Sequence, residues 1–148
     1  ASIDRTAAHA RAVAERFDLA LGDPTESGLR ATGPRDAAAR TPGHRSYAAP
    51  WALGDDLVAA LDHEGLAVST GSACLSGSRE PSEALVACGF DDATARGGLR
   101  IVFGRSTTND EAERAAAAVS RVAARLRGSG ATTGATDEMS RTRTVGAR

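Results

Sequence analysis

Cys74 lies inside a run of small and polar residues that extends from Ser69 to Ser78, with glycines at positions 71 and 77. Cysteine reacts as the thiolate, and an exposed polar setting favours that form over an apolar one. Because small polar residues favour turns and loops, the run predicts a mobile loop that could carry a sulfur atom between two sites. A free cysteine is also common as a small buried apolar residue, and the loop context alone leaves both interpretations open.

Arg100 is a charged residue inside the apolar run from Leu99 to Phe103. A charge in such a strand is costly to bury unless it is paired. A guanidinium bonds a carboxylate through two parallel hydrogen bonds, so Arg100 is a candidate for binding an anionic ligand. An arginine on a strand edge that faces solvent explains the pattern equally well. Arg105 is interpreted as structural or solvated.

The second cysteine, Cys88, follows the apolar run 85–87 at a predicted helix end, and we expect it to be a buried core residue. Two cysteines do not make a disulfide scaffold. They are also too few for a structural zinc site, and His44 and His63 do not lie at ligand spacing from them.

The elements that would position these residues follow from apolar periodicity and from helix start and stop signals. The predicted helices cover 3–20, 55–63, 81–89, 91–97 and, opened by a capping box from Thr108 to Glu111, 108–127. The predicted strands cover 44–51, 66–68 and 99–103. This order indicates a small α/β domain in which helices pack against a short sheet.

Length and composition suit one domain with a modest core. The chain has 148 residues, and aromatic residues make up only 3% of it, so each buried side chain contributes little area. We expect residues 1–127 to form the domain, which relies on a partner for part of its stability. Residues 128–148, rich in Gly, Ser, Thr and Arg, are expected to be a disordered tail.

The charge and hydropathy patterns argue against two classes of partner. The net charge is −1, so there is no basic surplus to hold the chain on nucleic acid. No apolar run is long enough to cross a membrane, and residues 1–5 lack the apolar core of a signal peptide. We therefore expect a cytoplasmic protein without a nucleic-acid or membrane partner.

Two motifs resemble one enzyme family. Residues 64–82 read EGLAVSTGSACLSGSREPS, which is similar to the active-cysteine segment of NifS/IscS-like cysteine desulfurases. Residues 96–108 read RGGLRIVFGRSTT, which resembles the arginine motif that follows it in the same family. The motifs stand in the family's order and separation, and the strongest match covers residues 55–127. The chain thus resembles the C-terminal small domain of class V, fold type I enzymes that depend on pyridoxal phosphate (PLP).

The resemblance implies roles for individual residues. Cys74 would attack the sulfur of L-cysteine and carry it away as a persulfide, with L-alanine as the other product. Arg100 would bind the α-carboxylate of the substrate. The long cysteine loop implies delivery of sulfur to an acceptor protein. Iron–sulfur cluster assembly and tRNA thiolation both draw on this family, and the sequence leaves that pathway open.

The sequence departs from the family in two ways. All 18 basic side chains are arginine, so the lysine that holds PLP in the family is absent. Ser46 stands where the family has an asparagine. The chain alone is therefore expected to be inactive and to need a large PLP-binding domain or a dimer mate. It is interpreted as a fragment or split subunit of a desulfurase. A persulfide carrier without enzymatic activity and a degenerate interaction domain remain as alternatives.

Overall fold

A computed structural model describes residues 2–34, 36–70 and 80–130 of the chain. Within these ranges the helices are α1 Ile3–Leu21, α2 Gly54–Asp62, α3 Glu83–Ala87, α4 Asp92–Arg96 and α5 Asn109–Gly130. The strands are β1 Arg30–Ala31, β2 His44–Ala48 and β3 Gly98–Val102, and a 3₁₀ turn spans Ala37–Ala39. No helix in this part of the chain is both long and apolar enough to cross a membrane.

The strands form an antiparallel sheet in the order β1–β2–β3. In the register between β2 and β3, Ser46 stands opposite Arg100 and His44 opposite Val102. Side chains alternate between the two faces of a sheet, so Arg45, Tyr47, Leu99 and Ile101 share one face. All four are buried, and that inner face packs on the helices.

The core lies between the inner face and the helices α1, α2 and α5. Phe17 of α1 is fully buried at its centre, with its ring centroid 5.2 Å from that of Phe103 and 6.5 Å from that of Tyr47. Many of the surrounding core side chains are alanines, including Ala112 and Ala116 of α5. The three aromatic rings therefore pack among many small side chains.

Arg45 fixes β2 to α1 through an ion pair at the edge of the core. Arg45 is 8% exposed, and its guanidinium donates through Nε and Nη2 to both carboxylate oxygens of Asp18, at 2.6 to 2.9 Å. A third bond runs from Nη1 to the His44 carbonyl oxygen at 2.9 Å. A buried arginine needs such partners, because an uncompensated charge in this setting would strongly destabilise the fold.

The helix boundaries agree with the capping signals in the sequence. Thr108 and Glu111 exchange hydrogen bonds at the start of α5, with the Thr108 amide 2.7 Å from the Glu111 carboxylate and the Glu111 amide 3.2 Å from the Thr108 hydroxyl. The capping box is confirmed. Helix α5 continues to Gly130, three residues beyond the predicted end, and residues 131–148 lie outside the described residues.

The predicted strand at 66–68 is wrong. After α2 the chain closes a glycine turn, in which the Gly65 amide bonds the Asp62 carbonyl and the Leu66 amide bonds the Leu61 carbonyl. Leu66 is thereby held against the helix end, and the chain reaches β3 only at Ser69. An open groove of about 760 Å³ remains between residues 64–68, the outer edge of β3 and α5.

The predicted strand at 44–51 is shorter than expected. It ends at Ala48, because the Ala49 amide donates to the Gly97 carbonyl at 2.9 Å instead of continuing the ladder. Trp51 then turns toward the loop before β1, where its Nε1 donates to the Gly28 carbonyl at 2.9 Å.

Candidate functional site

The outer face of the sheet carries three polar residues of β2 and β3. Arg100 lies between the buried residues Leu99 and Ile101, so its side chain points away from the helices, and it is half-buried. Ser46 and His44 of β2 share this face and are also half-buried. The predicted candidate Arg100 thus belongs to the outer face, where a ligand can reach it.

Arg100 is tied to the residue from which the cysteine loop departs. Its amide donates to the Ser69 carbonyl at 2.6 Å, and the Ser69 amide donates to the Arg100 carbonyl at 3.1 Å. The guanidinium Nη2 also donates to the Ser69 hydroxyl at 3.3 Å. Two backbone bonds and one side-chain bond therefore fix the start of the loop against the arginine.

Two hydroxyl groups continue this polar row across β2. Ser46 stands opposite Arg100, and the Thr32 hydroxyl donates to the Ser46 hydroxyl at 2.6 Å. The Thr32 amide also donates to the Ser46 carbonyl at 3.0 Å. Thr32, Ser46, Arg100 and Ser69 thus form a row of hydrogen-bonding side chains, here called the outer-face row.

The pKa of His44 shows how the neighbouring positive charges act on this face. Burial lowers the pKa of the imidazole, and the positive charges of Arg100 and Arg45 lower it further. Each of these causes disfavours the protonated ring. The neutral form of the His44 ring is therefore favoured over the protonated form.

Two glycines let the chain pass closely at the start of the cysteine loop. A Cβ atom on Gly98 would lie 2.7 Å from the Thr70 carbonyl oxygen, and one on Gly54 would lie 2.6 Å from the Gly98 carbonyl oxygen and 3.0 Å from the Thr70 methyl group. Real Cβ atoms do not approach backbone oxygens that closely, so both positions require glycine for this packing. Thr70, the last described residue before the loop, is thereby held between α2 and β3.

The far end of the loop is tied to the same region, since the Ser82 amide donates to the Ala95 carbonyl at 3.1 Å. Ser82 precedes α3, and Ala95 lies in α4 just before β3. Cys74, the predicted nucleophile, lies outside the described residues, as do the other residues of 71–79.

Cys88 is exposed, so its predicted place in the core is wrong. None of the residues of α3 is buried, because the helix covers part of the outer face instead of joining the core. Cys88 lines a pocket of about 300 Å³ between α3 and the sheet, together with Ala84, Leu85, Thr32 and Ser46.

The residues missed at the sequence level are Thr32, Ser46 as its hydrogen-bond partner, and His44 as a neighbour of Arg100. A signal for two of them was present, because positions 44 and 46 alternate with the apolar Tyr47 and with Arg45 along a predicted strand. Thr32 lies in a segment rich in glycine and proline without periodicity, so nothing local predicted its pairing with Ser46.

Sequence comparison identifies relatives that are named as cysteine desulfurases. Cysteine desulfurase IscS of Ectopseudomonas mendocina (strain ymp) is 43% identical over 89 residues, which are 60% of this chain and 22% of that protein. The IscS of Azotobacter vinelandii is 41% identical over 91 residues, which are 62% of this chain and 22% of that protein. The chain is similar to part of a cysteine desulfurase.

Structural comparison finds a solved chain with a similar fold. A solved chain described as a NifS-like protein matches with a TM-score of 0.63 at 19% identity, covering 82% of this chain and 29% of that chain. The predicted fold, a small α/β domain with helices packed against a short sheet, is confirmed. No family model matches the chain. The chain spans about a fifth of the length of the desulfurases that it matches.

The residues present do not fit PLP as a resident group of this chain alone. The family of the desulfurases implies that cofactor, which is held through the amine of a lysine side chain. This chain has none, since all of its basic side chains are arginines. The outer-face row supplies one guanidinium and three hydroxyls, which suit a carboxylate rather than covalent attachment of an aldehyde.

Proposed function

We propose that this chain supplies the sulfur-accepting part of a cysteine desulfurase, with Cys74 as the nucleophile and Arg100 as the residue that binds the carboxylate of L-cysteine. A large PLP-binding domain or a dimer mate provides the cofactor and its lysine. The sulfur leaves the chain on Cys74 and passes to an acceptor protein.

The observation that carries this proposal is the pairing of Arg100 with Ser69. Its hydrogen bonds join the carboxylate-binding residue to the base of the cysteine loop. Cys74 is the fifth residue after Ser69 along the chain, and a segment of that length reaches at most about 18 Å. A substrate held on Arg100 is therefore within range of a thiol carried on that loop.

The chemistry is a transfer of one sulfur atom. The Cys74 thiolate attacks the substrate sulfur, an S–S bond forms, and the bond between that sulfur and the β-carbon breaks. The β-carbon takes the electron pair and a proton, so the products are the Cys74 persulfide and L-alanine. Arg100 contributes by fixing the substrate through a charge-assisted, two-pronged contact with its carboxylate.

Arg100 is suited to this role by contrast with Arg45, its neighbour in the sheet. Arg45 is on the inner face and is buried, out of reach of a ligand on the outer face. Arg100 is on the outer face and half-buried, where a partly desolvated guanidinium binds a carboxylate more strongly than it would in water.

A chimeric enzyme tests the proposal. The matched 91-residue stretch of the Azotobacter vinelandii desulfurase is replaced by the corresponding stretch of this chain, and alanine formation from L-cysteine is measured. In the PLP-loaded chimera, Arg100→Gln should raise KM for L-cysteine by roughly ten-fold or more, since a charged hydrogen-bonded contact is lost.

The matched control is Arg105→Gln, which removes an equal charge from an exposed residue a few positions away. It should leave KM unchanged. Equal effects of the two substitutions, or none from Arg100→Gln, would contradict the carboxylate role. A chimera that makes no alanine, while Cys74 still accepts sulfur from a persulfide donor, would favour the carrier.

A further inference from the structure

Ser69 stands directly beside Arg100 at the open side of β3. The two residues form an antiparallel bridge and exchange both backbone hydrogen bonds, at 2.6 and 3.1 Å. In a pair of this kind the two Cα atoms lie about 5.5 Å apart. Side chains that are directly opposite each other project from the same face of a sheet. The Ser69 side chain therefore shares the outer face with the Arg100 guanidinium.

The Arg100 guanidinium turns toward Ser69, on the side of β3 away from β2. Its Nη2 atom donates to the Ser69 hydroxyl oxygen at 3.3 Å. An arginine side chain is long and has many rotamers, and a bond at its far end selects a few of them. A guanidinium has five N–H donors, so one bond to a hydroxyl is compatible with a two-pronged contact to a carboxylate.

The position of Ser69 is itself fixed by its neighbours along the chain. Val68 packs against the hydrophobic core. Thr70 lies so close to Gly54 and Gly98 that a Cβ atom on either glycine would approach it within 3.0 Å. The Ser69 hydroxyl is thus carried on a backbone that is held on both sides. Such a group can orient a longer and more variable side chain.

We propose that Ser69 is a positioning residue, whose hydroxyl holds the Arg100 guanidinium in the orientation that binds the substrate carboxylate. The inference rests on the proposed function, because it takes Arg100 as the carboxylate contact. Ordering a rotamer-rich side chain costs free energy, and a guanidinium that is ordered beforehand spares the ligand that cost. Both residues are half-buried, so water competes less for the bond between them than it would on an open surface.

The restraint on Arg100 is measured first, in the full chain, through the NMR signal of its Nε–H group. Arg100→Gln removes this signal and thereby assigns it. Ser69→Ala should speed the rotation of the guanidinium, because the bond to the hydroxyl is lost. Ser69→Thr keeps a hydroxyl and should restore the slower rotation. Ser106→Ala removes an exposed hydroxyl beyond the end of β3 and should have no effect.

Titration of the full chain with L-alanine then measures the effect on carboxylate binding. A carboxylate on Arg100 offsets the charge that lowers the pKa of His44, so that pKa should rise on binding. L-Alaninamide, which has no carboxylate, is the control ligand and should cause no rise. Ser69→Ala should weaken L-alanine binding roughly two- to ten-fold, since the ligand must now order the guanidinium itself. Ser69→Thr should bind as the wild type does.

The double variant separates positioning from a general structural effect. If Ser69 acts through Arg100, Ser69→Ala should weaken binding no further in the Arg100→Gln background. A Ser69→Ala loss that persists in that background, or that Ser69→Thr does not reverse, would overturn the inference.

Failure of the inference can be told apart from failure of the proposed function. Loss of binding in Arg100→Gln, with unchanged binding and unchanged guanidinium rotation in Ser69→Ala, would reject the role of Ser69 and keep that of Arg100. The absence of any carboxylate-dependent rise in the wild-type chain would reject the role of Arg100 and the inference with it.

Discussion

At the scale of single residues, Arg100 acts on its surroundings through charge as well as through hydrogen bonds. Its guanidinium and that of Arg45 both lower the pKa of His44, after burial as the first cause. Replacing Arg100 by Gln should therefore raise the pKa of His44 toward its ordinary value of 6.5 without reaching it, because burial persists. An NMR titration of the imidazole measures this shift, and Arg105→Gln should leave it unchanged.

The lowered pKa of His44 also makes the free energy of unfolding depend on pH. Because the pKa of His44 is lowered in the folded chain, the neutral ring contributes stability above the unfolded-state pKa of 6.5. That contribution is lost as the pH falls through the lower, folded-state pKa. Denaturant unfolding at several pH values should show a smaller acid-induced loss in Arg100→Gln than in the wild type.

The thiols of Cys74 and Cys88 should differ in their rates of alkylation. Because Cys88 is exposed, a difference cannot be due to burial of Cys88. The small and polar sequence around Cys74 favours the thiolate, so Cys74 should alkylate faster than Cys88 even though Cys88 is accessible. Peptide mass spectrometry after brief labelling, with Cys88→Ser as a control for assignment, measures both rates. Faster labelling of Cys88 would count against an activated Cys74.

At the scale of elements, the site depends on close backbone packing at Gly98. A Cβ atom there would meet the Thr70 carbonyl at 2.7 Å, so Gly98→Ala must displace the start of the cysteine loop. We expect a loss of about 1–3 kcal/mol in the free energy of unfolding, measured in denaturant. Gly128→Ala in α5, with open space around it, should be neutral or slightly stabilising.

The ion pair between Asp18 and Arg45 joins the α1 helix to the sheet. Because Arg45 is buried, loss of the pair should lower the free energy of unfolding. Asp18→Asn should lower the free energy of unfolding by about 1–3 kcal/mol, because it leaves a buried guanidinium with weaker acceptors. The matched control is Glu113→Gln, which breaks the exposed pair with Arg16 between α1 and α5. That change should cost less than about 1 kcal/mol. Equal losses would contradict the importance of burial.

What the sequence predicted well has local causes. The capping box at Thr108, the glycine stop at Gly65 and the apolar stripe around Phe17 act within a few residues, and each was confirmed. The errors depended on distant partners. Residues 66–68 have strand-like composition, but the turn at Gly65 keeps them from β3. Cys88 has apolar neighbours, yet α3 lies outside the core.

The candidate site was also predicted only in part from the sequence. Arg100 was identified because a charge interrupts an apolar strand, and its outer-face position follows from alternation along β3. The pairing of Thr32 with Ser46 joins a segment without periodicity to β2, so it emerged only from the fold. Whether Cys74 meets the substrate stays a prediction, because residues 71–79 lie outside the described part of the chain.

At the scale of the whole molecule, the proposed function makes this chain one part of a reaction whose cofactor comes from elsewhere. It matches about a fifth of the length of its desulfurase relatives and carries no lysine to hold PLP. With L-cysteine and PLP but no other protein, it should therefore form no more alanine than a blank. Alanine formed above the blank would show that this chain supplies the PLP-binding function itself.

The most direct test of the account is the mass of Cys74 in the PLP-loaded chimera after it has reacted with L-cysteine. The account predicts a gain of one sulfur atom on the peptide that contains Cys74, removed by a thiol reductant and absent in Cys74→Ser. The gain should persist in Cys88→Ser. Sulfur found on Cys88 alone, or no sulfur on either cysteine of a chimera that retains PLP, would contradict the account.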